Sequence, residues 1–224
     1  MKKHELSTFK QGEIAYIAGR EFIVLDHVEG GVLVLQNELE PKMQFGSNND
    51  FRISEVKAYL NGEYLDNLFS KNGELMDFTN KMTIDLKSDD GAREYGFDTV
   101  YVGLLTIEQY FKYNEFIPLA KGWWMTASPR WTPNDRTPDL DDDGVFWFVD
   151  SDGHADNDDA SSSWLAPRPA LALSSSLLAS KPEDARRESY NKYLVYLSEF
   201  SANENEIGSS PKSFEEWVEL ARRD

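Results

Sequence analysis

Three short apolar runs near the N-terminus constrain the fold more than any other feature of this sequence. Apolar and polar residues alternate along 13–17 and 20–25, and a third apolar run covers 32–35. Gly19 separates the first two runs, and Gly30-Gly31 separates the second from the third. Short runs of this kind are typical of strands, and glycine supplies the backbone geometry of tight turns. The chain is therefore predicted to open with an antiparallel meander.

Helix signals follow this meander and alternate with further strand signals. Ser54 is a predicted N-cap, and the helix after it should end at Asn61-Gly62. A second short helix is expected from Leu65 to Phe69, and a third after Thr106 by the same capping argument. Strand-like segments lie at 82–86 and 99–105. We predict an α+β fold with a mixed core of short antiparallel strands and two or three helices.

The end of the chain changes to helical periodicity. Tyrosines and leucines recur at helical spacing along 181–200, and Ser213 with Glu216 matches a capping box before an amphipathic stripe. We predict a main domain over 1–178 and a helical C-terminal extension over 179–224.

Charge and cysteine content exclude several classes of partner and chemistry. Lys and Arg total 23 against 40 Asp and Glu, giving a formal net charge of −17. Such a surface repels the phosphates that dominate nucleic-acid affinity, so we expect no direct nucleic-acid partner. The sequence has no cysteine, which excludes disulfides and thiolate chemistry. Neither a signal-peptide core nor a run of about 20 apolar residues occurs, so we expect no membrane insertion and a cytoplasmic or virion-associated protein.

Several segments occur in the order found in a known family. They are Ala58-Tyr59-Leu60-Asn61, Asp98 to Leu105, Glu108, Trp123-Trp124 and Arg168-Pro169-Ala170-Leu171. In this order the chain resembles the DUF6273 domain of bacteria and phages, which itself resembles the C-type-lectin and formylglycine-generating-enzyme-like fold. Met125-Thr126 and Ala166-Pro167 depart from the pattern, since leucine-arginine and glycine-valine are usual there.

The resemblance implies a C-type-lectin-like core that carries variable loops, and so a non-enzymatic binding module of a phage or bacterial protein. Its ligand, a protein or a glycan, would contact the loops within 126–165, while Trp123 and Trp124 would both pack beneath those loops. One version is a diversified display surface, as in the variable proteins of diversity-generating retroelements. Positions that could vary in this way are Asn134, Asn157, Ser161, Ser162 and Ser163.

Ten aspartates lie between 135 and 159, and part of this run has the spacing of a calcium loop. Asp139, Asp141 and Asp143 precede Gly144 as in D-x-D-x-D-G, and Asp150 occupies the twelfth position. These four residues are candidate calcium ligands, and calcium is the one cofactor that the sequence suggests. The alternative is a solvated acidic turn that leads into a strand, because no flanking helices are predicted. The residues from Asp150 to Gly153 are also typical of the tight turn of a hairpin.

Aromatic residues beside aspartate and asparagine side chains form surfaces suited to stacking on a sugar or gripping a protein. Trp131 and Trp164 are equally compatible with exposure and with burial, whereas Trp147 is expected in the core. The candidate ligand-binding residues are Trp131, Asn134, Asp135, Asp152, His154, Asn157, Ser162 and Trp164.

Two other classes of function stay open. The first is a structural protein that assembles, as a homo-oligomer or within a larger complex, through the helices of 181–224. The second is a hydrolase that depends on carboxylates such as Asp141 or Asp152. The sequence has no serine elbow, phosphate-binding glycine loop or HExxH motif, so no catalytic constellation is recognisable and we predict that the chain is not an enzyme.

Overall fold

The N-terminal meander and a strand that follows much later in the chain share one antiparallel sheet. The computed structural model describes residues 2–70, 73–132, 144–203 and 213–221. Within these residues helices and strands are mixed and the sheets are antiparallel, which confirms the α+β class. The strands are β1 (His4–Glu5), β2 (Ile14–Ile17), β3 (Arg20–Val28), β4 (Gly31–Gln36), β5 (Thr79–Asn80), β6 (Met82–Asp85), β7 (Phe97–Val100), β8 (Val102–Gly103), β9 (Trp124–Pro129), β10 (Val145–Val149), β11 (Ala155–Asp159), β12 (Ala170–Ser174) and β13 (Leu178–Ala179). The α-helices are α1 (Glu55–Tyr59), α2 (Leu65–Ser70), α3 (Ile107–Tyr113), α4 (Pro182–Asn203) and α5 (Phe214–Ala221).

The main sheet has the order β2-β3-β4-β12-β5, and β8 also pairs with β12. Its first three strands are the predicted meander, with Gly19 and Gly30 at positive φ in the turns. All six residues of β4 are buried because this strand lies in the middle of the sheet. The late strand β12 thus closes the sheet beside the N-terminal meander.

A second sheet has the order β11-β10-β9 and carries Asn157 and the hairpin turn with Asp150, Asp152 and His154. Ala166 forms a parallel bridge with Trp124, so the chain just before β12 runs along the free edge of β9. The hairpin between β10 and β11 turns at Asp150 to Gly153 as predicted. Asp150 Oδ1 accepts hydrogen bonds from the N–H groups of Asp152 and His154, and Gly153 has a φ of +84°.

The predicted caps at Ser54 and Thr106 are present, but one predicted helix end is wrong. Ser54 Oγ accepts a hydrogen bond from the N–H of Lys57, and Thr106 forms a capping box with Gln109. The chain continues from α1 through a π-helical turn at Leu60–Tyr64 into α2, instead of stopping at Asn61-Gly62. The side chain of Asn61 bonds to both the N–H and the C=O of Val102, so a tertiary contact overrides the local stop signal.

The C-terminal segment forms the predicted helices. Ser180 bridges to Tyr16 of β2, and ion pairs join Lys181 to Glu13 and Arg186 to Glu21 at 3.3 and 3.4 Å. Helix α5 packs on α4 through the ring of Tyr190, whose centroid is 5.5 Å from that of Phe214. The division of the chain after residue 178 stays a prediction.

Candidate functional site

Two exposed tryptophans form the most prominent apolar feature of the second sheet. Trp123 and Trp164 are 42% and 36% exposed. The Trp123 ring stacks on buried Phe148 with centroids 5.5 Å apart, and the Trp164 ring stands nearly perpendicular to both, at 4.6 and 5.4 Å. These three rings are called the tryptophan face below. Mutual packing holds the two exposed rings in fixed positions.

The backbone explains why these rings meet. The N–H of Ala166 donates to the carbonyl of Trp123, which brings Trp164 beside the start of β9. Side chains alternate along a strand, so Trp124 lies on the opposite side and is buried against Tyr110. The prediction that both tryptophans pack beneath the loops is therefore wrong for Trp123.

An open groove of about 650 Å³ adjoins the tryptophan face. One wall is 37–39, the other is 118–121, and Ile14 lies at the groove as well. Gly122 joins the second wall to Trp123, and a Cβ at this glycine would lie 3.2 Å from Leu39 of the first wall. The volume is in the range of small-ligand sites. Neither wall carries a recognisable sequence motif, so the groove had no signal in the sequence.

The hairpin turn brings together three of the predicted residues, namely Asp150, Asp152 and His154. One side-chain atom of each lies within 4.8 Å of the others, and His154 Nδ1 is 3.4 Å from Asp150 Oδ2. The backbone N–H of His154, followed by that of Asp152, lowers the pKa of the Asp150 carboxyl. This arrangement satisfies the geometry of the turn and supplies fewer groups than the six to eight oxygens of a calcium site. A Cβ at Gly153 would lie 3.1 Å from Leu119, so the turn borders the groove.

Five predicted ligands cannot be placed, and a sixth lies close to Trp164 in the sequence. Asn134, Asp135, Asp139, Asp141 and Asp143 lie outside the described residues, so the calcium loop stays a prediction. Ser162 is two residues from Trp164 and half-buried.

Trp131 and Asn157 form a separate group around Arg130. Arg130 donates to Asn157 Oδ1 at 2.7 Å and lies 5.7 Å from the Trp131 ring. Asn157 pairs with Trp147 in β10, and side chains alternate along a strand, so Asn157 lies on the opposite side of the sheet from Phe148 of the tryptophan face. The predicted ligand-binding residues that the structure describes are thus divided between two regions of the sheet. Trp147, expected in the core, packs partly against it and donates from Nε1 to Asp89.

Part of the acidic run has a structural explanation at the edge of the second sheet. In the described residues β11 pairs with β10 alone, and the register turns the N–H groups of Asn157 and Asp159 away from β10. Asp156 Oδ1 and Asp158 Oδ1 accept hydrogen bonds from these two N–H groups at 2.8 Å. Capped donors and negative charge both oppose pairing with another strand.

We therefore expect the double variant Asp156→Thr, Asp158→Thr to self-associate more than the native chain. Threonine favours strands and removes both the carboxylate acceptors and the repulsion. The matched control is Asp66→Thr, Asp77→Thr, which removes the same charge from exposed positions away from this edge. Sedimentation velocity over a range of concentrations compares the three proteins. Equal sedimentation of the two double variants would show that the edge carboxylates have no special role.

No protein-family model matches the chain, and comparison with curated proteins and with solved structures gives no significant match. The site therefore depends on the geometry described above. No helix within the described ranges combines the length and apolar character needed to cross a membrane.

Proposed function

We propose that this protein is a binding module and that the tryptophan face and the groove contact a protein or glycan ligand. The observation that carries the proposal is the pair of exposed tryptophans held at the end of an open groove. Tryptophan offers a large rigid surface that stacks on sugars and dominates protein interfaces when it is desolvated. A phage or bacterial DUF6273-like origin and a C-type-lectin-like core with diversified loops are parts of this proposal.

The chemistry of the groove supports binding over hydrolysis. Its polar lining side chains are Asn37, Glu38 and Lys121, and the other lining residues are apolar. Glu38 is the single carboxylate among these lining residues, whereas the carboxylate-based hydrolysis of glycosides uses a pair of carboxyl groups. Asn37, Glu38 and Lys121 can instead orient a ligand by hydrogen bonding beside the apolar surface.

Alanine substitution of the tryptophans tests the proposal. Binders are first selected with the native protein from a peptide display library and from a glycan array. We expect Trp123→Ala and Trp164→Ala each to raise the Kd of a selected binder about 30-fold, as for an interface residue worth about 2 kcal/mol. Fluorescence anisotropy or calorimetry measures the Kd. A binder from the peptide library would indicate a protein ligand, and a binder from the glycan array would indicate a glycan.

Two controls decide how the result is interpreted. Phe111→Ala removes an exposed aromatic ring on α3 and should leave the Kd unchanged. Trp217→Ala changes α5, and a loss of binding confined to this variant would favour the C-terminal helices as the working surface. Retention of affinity in both Trp123→Ala and Trp164→Ala would refute the proposed site.

A further inference from the structure

A buried arginine lies directly behind the groove. Arg168 is 1% exposed, and its guanidinium donates to the carbonyls of Gln36 and Asn37 at 3.0 and 3.1 Å. A third, longer hydrogen bond reaches the carbonyl of Pro118 at 3.4 Å. Asn37 belongs to one wall of the groove and Pro118 to the other. One side chain therefore links both walls.

The surroundings of Arg168 indicate that this link is its main role. Among the described residues it forms no ion pair, and the Trp124 ring centroid is 5.3 Å from Cζ. Burial lowers the pKa of Arg168 to about 10. The cavity beside the guanidinium measures about 10 Å³, which leaves room for one water at most. The donors thus act on backbone carbonyls, and a ligand in the groove cannot reach them.

The two walls differ in their other attachments. The 37–39 wall is fixed by backbone hydrogen bonds on both sides, from Asn37 N–H to Glu21 and from Glu40 N–H to Pro167. The 118–121 wall follows a short 3-10 turn that ends at Phe116. Within this wall, the side chain of Leu119 packs against Gly153. Arg168 joins the well-fixed wall to the irregular one.

We propose that Arg168 is a positioning residue that sets the width of the groove by holding its two walls at a fixed separation. The planar fork of arginine presents several donors in fixed directions, which suits carbonyls on two different segments. A lysine at this position would keep the charge, but its single ammonium cannot reproduce the fork. The consequence for ligand selection rests on the proposed function, whereas the spacing of the walls does not.

The absence of cysteine allows the spacing to be measured directly. Glu38→Cys and Lys121→Cys place one nitroxide label on each wall, at exposed positions. Pulsed electron paramagnetic resonance should give one narrow distance distribution with arginine at 168. In the Arg168→Lys background we expect the distribution to shift or broaden by about 3 Å, one hydrogen-bond length. The matched control is Val56→Ala, which destabilises the core at a buried position in α1 without touching either wall.

Identical distributions in the arginine and lysine backgrounds would overturn the proposal, as would an equal change in Val56→Ala. If Arg168→Lys does not fold, nitrogen NMR of the arginine side chains in the native protein still tests the proposed link between the walls. Three hydrogen bonds predict one guanidinium with slow rotation and slow proton exchange, and the lack of such a signal would equally refute the link. Walls that separate in Arg168→Lys while a selected binder keeps its Kd would support the link and count against the groove as the binding site.

Discussion

Replacement of Asn49 by alanine is expected to lower the free energy of unfolding by about 3 to 4 kcal/mol, because it leaves several buried polar groups without partners. Asn49 is 0% exposed. Its Nδ2 donates to the carbonyls of Trp131 and Val145 at 2.9 and 2.7 Å, and its Oδ1 accepts from the Tyr95 hydroxyl at 2.8 Å. This one amide therefore joins the backbone at Trp131 and at Val145 to the loop before α1.

Urea unfolding, followed by tryptophan fluorescence and circular dichroism, measures the loss. The matched control is Tyr95→Phe, which removes one hydroxyl from the same network and should cost about 1 kcal/mol. A loss below 1 kcal/mol for Asn49→Ala would mean that water replaces the amide easily and that the network does not hold the backbone at Trp131 and Val145 together.

Local signals in the sequence were sufficient for individual elements of the fold. Alternation and glycine placed β2, β3 and β4, and hydroxyl side chains placed the starts of α1 and α3. The order of strands in the main sheet was not predictable, because β12 pairs with β4 across more than 130 residues. The helix end at Asn61-Gly62 was mispredicted for a related reason, since the bonds from Asn61 to Val102 are tertiary.

The candidate site was less predictable than the fold. Trp164 was recognised as a candidate for exposure, but its contact with Trp123 depends on a bridge between β9 and Ala166 that has no local signal. The groove walls are about 80 residues apart in sequence and meet only in the folded chain. Arg168 was visible as part of a family-like motif, yet its hydrogen bonds reach residues up to 132 positions away. Composition and spacing carry no information about such contacts.

A buried polar network beneath the 37–39 wall gives the second large expected effect. The Glu40 side chain is 8% exposed, forms an ion pair with Arg20, and accepts hydrogen bonds from Gln36 at 2.8 Å and Tyr59 at 2.6 Å. Burial acts to raise the pKa of Glu40, but these hydrogen bonds and the charge of Arg20 outweigh burial and lower the pKa below its usual value. Gln36 also donates to the carbonyl of Glu38, so the network supports the groove wall from inside.

Glu40→Gln should therefore lower the free energy of unfolding at pH 7 by about 2 kcal/mol. This loss is smaller than that for a fully buried ion pair, because Arg20 is partly exposed and its charge is screened by solvent. A carboxyl whose folded pKa is depressed stabilises the fold above its unfolded pKa of about 4.3, and this stability is lost as the pH falls through the folded pKa. The difference between native and variant proteins should consequently be largest at neutral pH and shrink below about pH 4. Denaturant unfolding at pH 7, 5 and 3 tests this, with Glu38→Gln as the control for loss of an exposed charge nearby.

A difference between the native protein and Glu40→Gln that stays constant across this pH range would show that the ionised carboxylate is not the stabilising form. If the difference shrinks as expected, the same titration should loosen the 37–39 wall, because Gln36, which donates to Glu40, also donates to the carbonyl of Glu38. Acidification of the Glu38→Cys, Lys121→Cys pair would then broaden the distance distribution across the groove. In Glu40→Gln the distribution would already be broad at neutral pH, which connects the stability of this network to the shape of the proposed binding site.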